Sequence, residues 1–520
     1  MTDNKTGTQP QAVIAGAGPT GLMLACELRL AGVDVLVLER DTAPRTVESR
    51  AGGLHARTLE VLDQRGLADR FLASGQRRPG AHYAGLPLDL SDLPTRYPFL
   101  LFLLQSEVER LLAERAVETG AVILRGTELT GFAQDEDGVT VDLADGSRLR
   151  ADYLVGCDGG RSTVRRLARI GFPGTPATMT AMLGDVHLTD PPERDVFQER
   201  REHGSFSVLR FGPDWYRVIT NEFDHVRDRD DPVTLDVLSA TMRKIAGTDF
   251  GMHSPRWLSH HGDAARQADR YRDGRVLLAG DAAHVHFPAG GQGLNTGVQD
   301  AVNLGWKLAA VIRGQAPESL LDTYGAERRP VAARVLQNTR AQTALWRVDD
   351  HTSALRETMA DLIGIAEVRT RLAAEITAID TRYPIEGSDD LLGRRMPDLD
   401  LEHGRVNILL HKGRALLLDF SGLHGLEAAA AGWTDRADLV RTRTAQGADF
   451  NAHAVLVRPD GHIAWAARTR DRPDLDALKA SLTTWLGPGK PPSGRAWGSG
   501  GRAPAAGALA RGRSPRGQNP

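Results

Sequence analysis

The chain has 520 residues, 41% hydrophobic and 25% charged, with a formal net charge of −3. That length exceeds what one domain normally holds and predicts two or three, while the near-neutral balance excludes a nucleic-acid surface as its main business. The polar first ten residues lack a signal-peptide core, no apolar run reaches the ~18 residues of a membrane span, and the two cysteines, Cys26 and Cys157, form no CxxC; a cytoplasmic protein with no thiol redox pair or zinc site is expected.

Gln11 to Arg40 reads as one βαβ unit. Val13 and Ile14 are strand-like, and Leu22, Leu24, Ala25 and Leu28 make the inner face of a helix that Gly32 ends. Val33 to Leu38 forms a second strand, closed by Glu39. Gly16, Gly18 and Gly21 fill the GxGxxG positions between strand and helix. The first glycine permits a tight turn, the second lets the backbone approach a pyrophosphate, and the third allows close helix–strand packing. Glu39 is placed to hydrogen-bond a ribose 2′-hydroxyl. A lone GxGxxG is weak; here strand, turn, helix, strand and acid follow in the required order.

Ser106 to Glu118 is a helix, and Val122–Leu124, Val139–Leu143 and Leu149–Leu154 are strands, the last two joined by a turn at Asp145-Gly146. Tyr153 to Asp158 is a strand ending in an acid, followed by Gly159-Gly160-Arg161-Ser162 and a basic helix start, Val164 to Leu167. From Phe172 to Arg272, strand-like pieces (Ala181–Leu188, Ser205–Phe211, Tyr216–Asn221) alternate with turn clusters, which predicts an inserted antiparallel sheet.

Gly274 to Ala309 is the most informative run. An apolar strand, Arg275 to Leu278, leads to a carboxylate, Asp281, then to a glycine-rich loop and an amphipathic helix. A carboxylate at a strand's carboxyl end, facing N–H groups at a helix start, suits a ligand with hydroxyls and an electron-rich ring. His284 and His286 have HxH spacing but no evident third ligand, so no metal is expected. The chain stays mostly helical to Ile379; Gly387 to Gly487 is a further unit of short strands and helices. Pro488 to Pro520 holds Lys490, Arg495, Arg502, Arg511, Arg513 and Arg516 with no acid, a composition expected to be disordered.

GxGxxG, then CDGGRSTVRR, then GDAAHVHFPAGGQGLN, in that order, resembles the class A (single-component) FAD-dependent aromatic monooxygenases of the para-hydroxybenzoate hydroxylase fold, over Val13 to Ile379. The finer resemblance is to the aromatic polyketide hydroxylases, through ARTLEVLDQRG (Ala56–Gly66), ARQADRYRDGRVLLAGDAAH (Ala265–His284), LLGRRMPDL (Leu391–Leu399) and VLVRPDGHIAW (Val455–Trp465). The resemblance implies an α/β fold: a Rossmann-like FAD-binding domain, an inserted mostly antiparallel-sheet substrate domain, and a C-terminal thioredoxin-like domain lacking redox cysteines. The expected boundaries are 10–75, 99–171 and 273–384 for the FAD domain with a helical extension, 76–98 and 172–272 for the substrate domain, and 385–487 for the last domain, before the 488–520 tail.

It further implies roles. Gly16, Gly18 and Gly21 would cradle the FAD pyrophosphate, Glu39 would hold the adenosine ribose with Arg40 beside it, and Arg50 would lie near pyrophosphate and flavin. Gln105 and Asp281 would meet the ribityl and phosphate region, and Asp158 would act on the cofactor from the DG loop, although both aspartates could instead cap helices. The backbone of Gly291, Gly293, Leu294 and Asn295 would face the flavin pyrimidine edge, where N–H groups at a helix start stabilise negative charge. Backbone carbonyls at Pro288, Gly290 and Gly291 are the candidates to activate a phenol, and Trp215, Tyr216 and Trp257 are candidates to line the substrate cavity or to fill core.

The implied activity is hydroxylation of a polycyclic aromatic polyketide, of angucycline or anthracycline type, through a C4a-hydroperoxyflavin, with NADPH as a transient co-substrate and O₂ consumed. The alternatives are oxygenation of a rifamycin- or tetracycline-type antibiotic or a simple phenol, an oxygen-independent flavin reductase or dehydrogenase, and a non-catalytic relic. A monomer or homodimer acting on a small molecule is expected, with no nucleic-acid or membrane partner.

Overall fold

The computed structural model describes residues 9–46, 51–228, 231–444, 450–471 and 473–491. Arg50 and most of the basic tail therefore lie outside the described residues. Strand β1 (Ala12–Ala15) enters helix α1 (Pro19–Leu30), and β2 (Val35–Glu39), α2 (Ala56–Asp63), α3 (Gln105–Glu118), β3 (Val122–Arg125), β4 (Tyr153–Gly156) and α4 (Thr163–Leu167) follow. The middle of the chain holds β5 (Met179–Leu188), β6 (Val196–Arg201), β7 (Gly204–Arg210), β8 (Tyr216–Phe223), α5 (Leu235–Ala246) and β9 (Met252–Gly262). Next come β10 (Arg272–Asp273), β11 (Val276–Leu278), α6 (Gln292–Ile312), α7 (Asp322–Ala344) and α8 (Ala366–Thr377). The last elements are β12 (Ala415–Asp419), β13 (Ala437–Arg441), β14 (Ala454–Val457), β15 (Ile463–Ala467) and α9 (Leu475–Leu486).

The main sheet has the order β10-β11-β4-β1-β2-β3, parallel except for the β10 edge. Its central strands are buried along their whole length, the apolar run expected when both faces of a parallel sheet are covered. In register, Ala15 lies beside Gly156, and Gly156 beside Leu278. The three motif loops therefore leave from the same carboxyl-terminal edge of three adjacent strands, where ligands of such sheets bind.

One expected strand is corrected. Leu149–Leu154 is not continuous: Arg148–Ala151 belongs to a small antiparallel sheet with Val139–Leu143, and Tyr153 starts a strand of the main sheet. The break falls at Asp152, where the N–H groups of Asp152 and Tyr153 both turn to the Gln11 carbonyl.

The inserted sheet is antiparallel, in the order β6-β7-β8-β5-β9. One face carries Met182, Phe206, Val208, Tyr216 and Val218 against Leu238, Met242 and Ile245 of α5. Within 76–98, Gly80–Tyr83 and Leu86–Asp89 form a ribbon, Gln76–Arg78 pairs outside the segment with Leu100–Phe102, and Tyr83 and Leu88 pack with Met179, Ala181 and Phe223 at one end of the sheet.

The C-terminal sheet runs β13-β12-β14-β15, with β12 and β13 parallel and the other pairs antiparallel. With α9 packed on it through Leu478, Leu482 and Trp485, this is the thioredoxin arrangement, built without a cysteine. Both cysteines lie in the first half of the chain and are buried, and burial pushes each thiol upward, away from a reactive thiolate. Among the described residues, no helix is long and apolar enough to cross a membrane.

Candidate active site

The first glycine turn is dictated by contact. A Cβ on Gly21 would stand 2.1 Å from the Gly16 carbonyl oxygen, and one on Gly16, at φ +104°, would stand 2.4 Å from the Cys157 carbonyl oxygen. Gly18 is different: its Cβ direction opens into space with nothing within 4 Å. It is also the N-cap of α1 and brings no side chain to the helix's first N–H groups, so that end remains available to an anion. The Glu39 carboxylate accepts the Ala17 N–H at 2.8 Å and the Asp41 N–H at 3.0 Å, binding the end of β2 to the glycine turn.

The third motif joins the first through Thr20. A Cβ on Gly280 would meet Thr20 Oγ1 at 2.5 Å, and one on Gly297 would meet the same oxygen at 2.3 Å, so α1, α6 and the Gly280-Asp281 turn pack at one point. The turn is held from beneath by Asp300, which is fully buried. Its Oδ2 accepts the Gly280 N–H at 3.1 Å and His284 Nε2 at 2.7 Å, while its Oδ1 accepts Arg328 Nε at 2.6 Å. Burial opposes ionisation of Asp300, but Arg328 and His284 hold its carboxyl below the usual range. His284 thus spends its Nε2 proton on a carboxylate, a structural use for half of the HxH pair.

The Pro288–Asn295 turn begins α6. Gly290 and Gly291 have φ of +69° and +67°, which favours glycine at both positions. The Pro288 carbonyl accepts the Gly291 N–H at 3.0 Å. Asn295 fastens the turn: its Nδ2 donates to the Gly53 and Gly291 carbonyls at 3.0 and 2.9 Å, and its Oδ1 accepts the His55 N–H at 2.8 Å. The N-cap of α6 is Gly291, again with no side-chain cap. Two long helices thus point uncapped, glycine-bounded ends at one edge of the main sheet. This donor set fits a dinucleotide whose pyrophosphate meets α1 and whose flavin meets α6.

The other expected residues divide. Gln105 is the first residue of α3 and is tied to Ala51 by its backbone N–H at 3.0 Å and its side-chain oxygen at 3.4 Å. Asp281 is exposed in the turn after β11, and Arg40 is exposed at the end of β2. Asp158 turns back on its own chain: its carboxylate accepts the Ser162 hydroxyl and the Thr163 and Val164 N–H groups, the helix-capping alternative. Leu294 packs on the main core, and Gly293 sits against the His286 ring.

The three aromatics are not together. Strand alternation sends Tyr216 to the α5 face, where it fills core. Trp257 lies on the opposite, inner face, opposite Asp185, and Trp215 packs on His187 at 4.1 Å between ring centres. The inner face is instead read in rows. Arg200, Ser205, Asn221, Ala181 and His261 form the row nearest the glycine turn; Gln198, Ser207, Ile219, Leu183 and Ser259 form the next. The His261 ring lies 5.6 Å from that of Phe287.

Residues missed by sequence reasoning include Asp300, Arg328, Thr20 and His55. A signal existed for Asp300: Thr296, Asp300, Asn303 and Lys307 recur at helical spacing in an otherwise apolar helix, and all four are buried. His55 had no local signal, because its partners lie more than two hundred residues away.

The FAD binding domain model matches residues 9–339, and the aromatic-ring hydroxylase C-terminal model matches residues 389–489. Rifampicin monooxygenase of Streptomyces venezuelae is 50% identical over 480 residues, covering 91% of this chain and 98% of that protein. The 12-dehydrotetracycline 5-monooxygenase/anhydrotetracycline 6-monooxygenase of Streptomyces rimosus is 48% identical over 498 residues, covering 92% and 98%. The solved structure of the OxyS anhydrotetracycline hydroxylase from Streptomyces rimosus aligns with a TM-score of 0.87 at 47% identity, covering 93% of this chain and all of that one. The chain belongs to the FAD-dependent aromatic-ring hydroxylase family of monooxygenases.

Proposed function

We propose that this monooxygenase hydroxylates an electron-rich ring of a polycyclic phenolic natural product, with NADPH as transient reductant and O₂ as oxygen source. The observation that carries the reading is the inner face of the β6-β7-β8-β5-β9 sheet. It spans five strands, ~19 Å, and its row of Gln198, Ser207, Ile219 and Ser259 is only half-buried beyond the residues that meet Phe287. A flat, multi-ring molecule bearing hydroxyl and carbonyl groups suits such a floor.

Bound FAD supplies hydride acceptance and the activation of O₂. The chain binds and orients it. The α1 end with Gly16, Gly18 and Gly21 takes the pyrophosphate, Glu39 and Arg40 the adenosine ribose, Gln105 and Asp281 the ribityl and phosphate region, and Gly291 to Asn295 the pyrimidine edge. Asp158 acts through the loop it caps. Carbonyls at Pro288, Gly290 and Gly291 accept the phenol hydroxyl and orient the ring, and the 76–98 and 172–272 segments close over it to exclude water.

The angucycline and anthracycline types are the leading substrate class. The similarity to rifampicin and anhydrotetracycline oxygenases keeps those scaffolds as the second reading. Purified protein incubated with NADPH, ¹⁸O₂ and a panel of all four scaffolds should add one ¹⁸O atom to its substrate. Anaerobic turnover with product release would instead establish a reductase.

A further inference from the structure

Two imidazoles flank the glycine turn, His55 buried and His286 half-buried. His55 is 2% exposed, and its Nε2 would lie 3.7 Å from a Cβ on Gly291; His286 Nε2 would lie 3.7 Å from a Cβ on Gly293. Each has one ring nitrogen sealed from solvent and without a partner among the described residues, Nδ1 in His55 and Nε2 in His286. For His286 the tautomer follows from its neighbour. Nδ1 lies 2.8 Å from the Phe287 carbonyl, which can only accept, so Nδ1 carries the hydrogen and Nε2 a bare lone pair. A buried, unpaired acceptor is costly, and a redox or catalytic role is one reason a native fold retains it.

We propose that His286 Nε2 takes up a proton when the FAD at the α6 glycine turn is reduced, and that the resulting imidazolium balances the negative charge of the reduced ring. This rests on the placement of the flavin pyrimidine edge at Gly291–Asn295. The balance is complete: NADPH delivers a hydride to FAD, leaving NADP⁺ and a singly negative reduced flavin, and His286 takes one proton from solvent. The surrounding charges agree. His284 is the titratable neighbour that acts on His286, and its Nε2 proton is already held by Asp300. Arg165 is engaged with the Ala282 carbonyl and Arg266 lies on the strand paired with Val285, while the His261 ring lies tilted against Phe287 and His55 stands across the turn. In the absence of a negative ring, burial pushes His286 down to about 4, so the site is empty of its extra proton at neutral pH.

The test is the pH dependence of the midpoint potential of the FAD-loaded enzyme between pH 6 and 8, with the reduced-flavin spectrum recorded. The wild type should take up two protons per two electrons while its reduced flavin keeps the anionic spectrum. H286Q should take up one, and H55Q two. One proton in the wild type, or two in H286Q with the anionic spectrum, overturns the proposal. Where H286Q does not load FAD, direct proton-uptake stoichiometry on the wild type decides. A wild-type protein that binds no FAD fails the placement itself, a distinct outcome.

Discussion

Asn295 Oδ1 accepts the backbone N–H of His55 at 2.8 Å, so the first turn of α6 and the segment before α2 hold each other. The same side chain donates to Gly53 and Gly291. Asn295→Ala removes three hydrogen bonds, each worth ~1 kcal/mol, and takes their partner from two part-buried carbonyls and the buried His55 N–H. The protein should remain folded by circular dichroism and bind FAD at least tenfold more weakly in fluorescence titration. Unchanged affinity would remove Asn295 from the site.

The two glycines that look equivalent in sequence should fail differently. Gly18→Ala meets no atom and has an ordinary φ of −77°, so its apo-protein should melt within a degree or two of wild type while losing FAD, because the new methyl fills the approach to α1. Gly21→Ala forces the Gly16 peptide to move, at a cost of about 1–3 kcal/mol. Its apo-protein should melt several degrees lower. Equal melting of the two variants would contradict the assignment of steric roles.

Strand alternation gives a matched pair of substitutions. Ser259→Val alters the inner face and should raise KM for the substrate several-fold with little change in Tm. Tyr216→Ala opens the α5 core and should cost about 3–5 kcal/mol, with KM of the surviving folded enzyme unchanged. A KM effect from Tyr216→Ala alone would reverse the face assignment.

The turn of the C-terminal hairpin plugs into α6 and α7. Arg458 donates to both oxygens of Glu327, at 2.6 and 2.9 Å, and Lys307 Nζ joins them at 2.8 Å. Glu327→Gln leaves the buried Lys307 cation without a carboxylate and Arg458 with Asp460 alone, and should destabilise by about 3–5 kcal/mol, whereas Lys307→Met leaves the Arg458–Glu327 pair intact and should cost little. Chemical denaturation of both variants decides between this and a network in which each charge is needed.

The same cluster sets one limb at each end of the pH range, both rising with pH. Burial opposes ionisation of Glu327, but Arg458 and Lys307 hold it down to about 2. Its contribution is therefore full above an unfolded value of about 4.3 and fades as pH falls toward 2. Burial lowers Lys307 to about 8 despite Glu327, so between about 8 and 10.4 the unfolded chain binds more protons and stability from this group rises with pH. Lys307→Met should lose that alkaline limb and keep the acid one in urea denaturation across pH.

The sequence by itself determined the nucleotide-binding half of this protein. Spacing alone located Gly16 and Gly21, because a tight turn and close helix–strand packing leave no room for a Cβ at either position. Period-two and helical patterns likewise located most strands and helices, with the failure at Asp152, where one apolar-looking run changes sheets. Tertiary structure alone decided what meets what. Strand alternation separated Tyr216 from Trp257, capping turned Asp158 onto its own helix, and Asp300 became the clamp on Gly280 through contacts with Arg328 and His284. Local pattern offered the Asp158 cap as an alternative and marked Asp300 by its spacing, but which groups each would meet depends on burial and, for Asp300, on a partner in another helix. A buried charge is recognisable only when the group that neutralises it is in view.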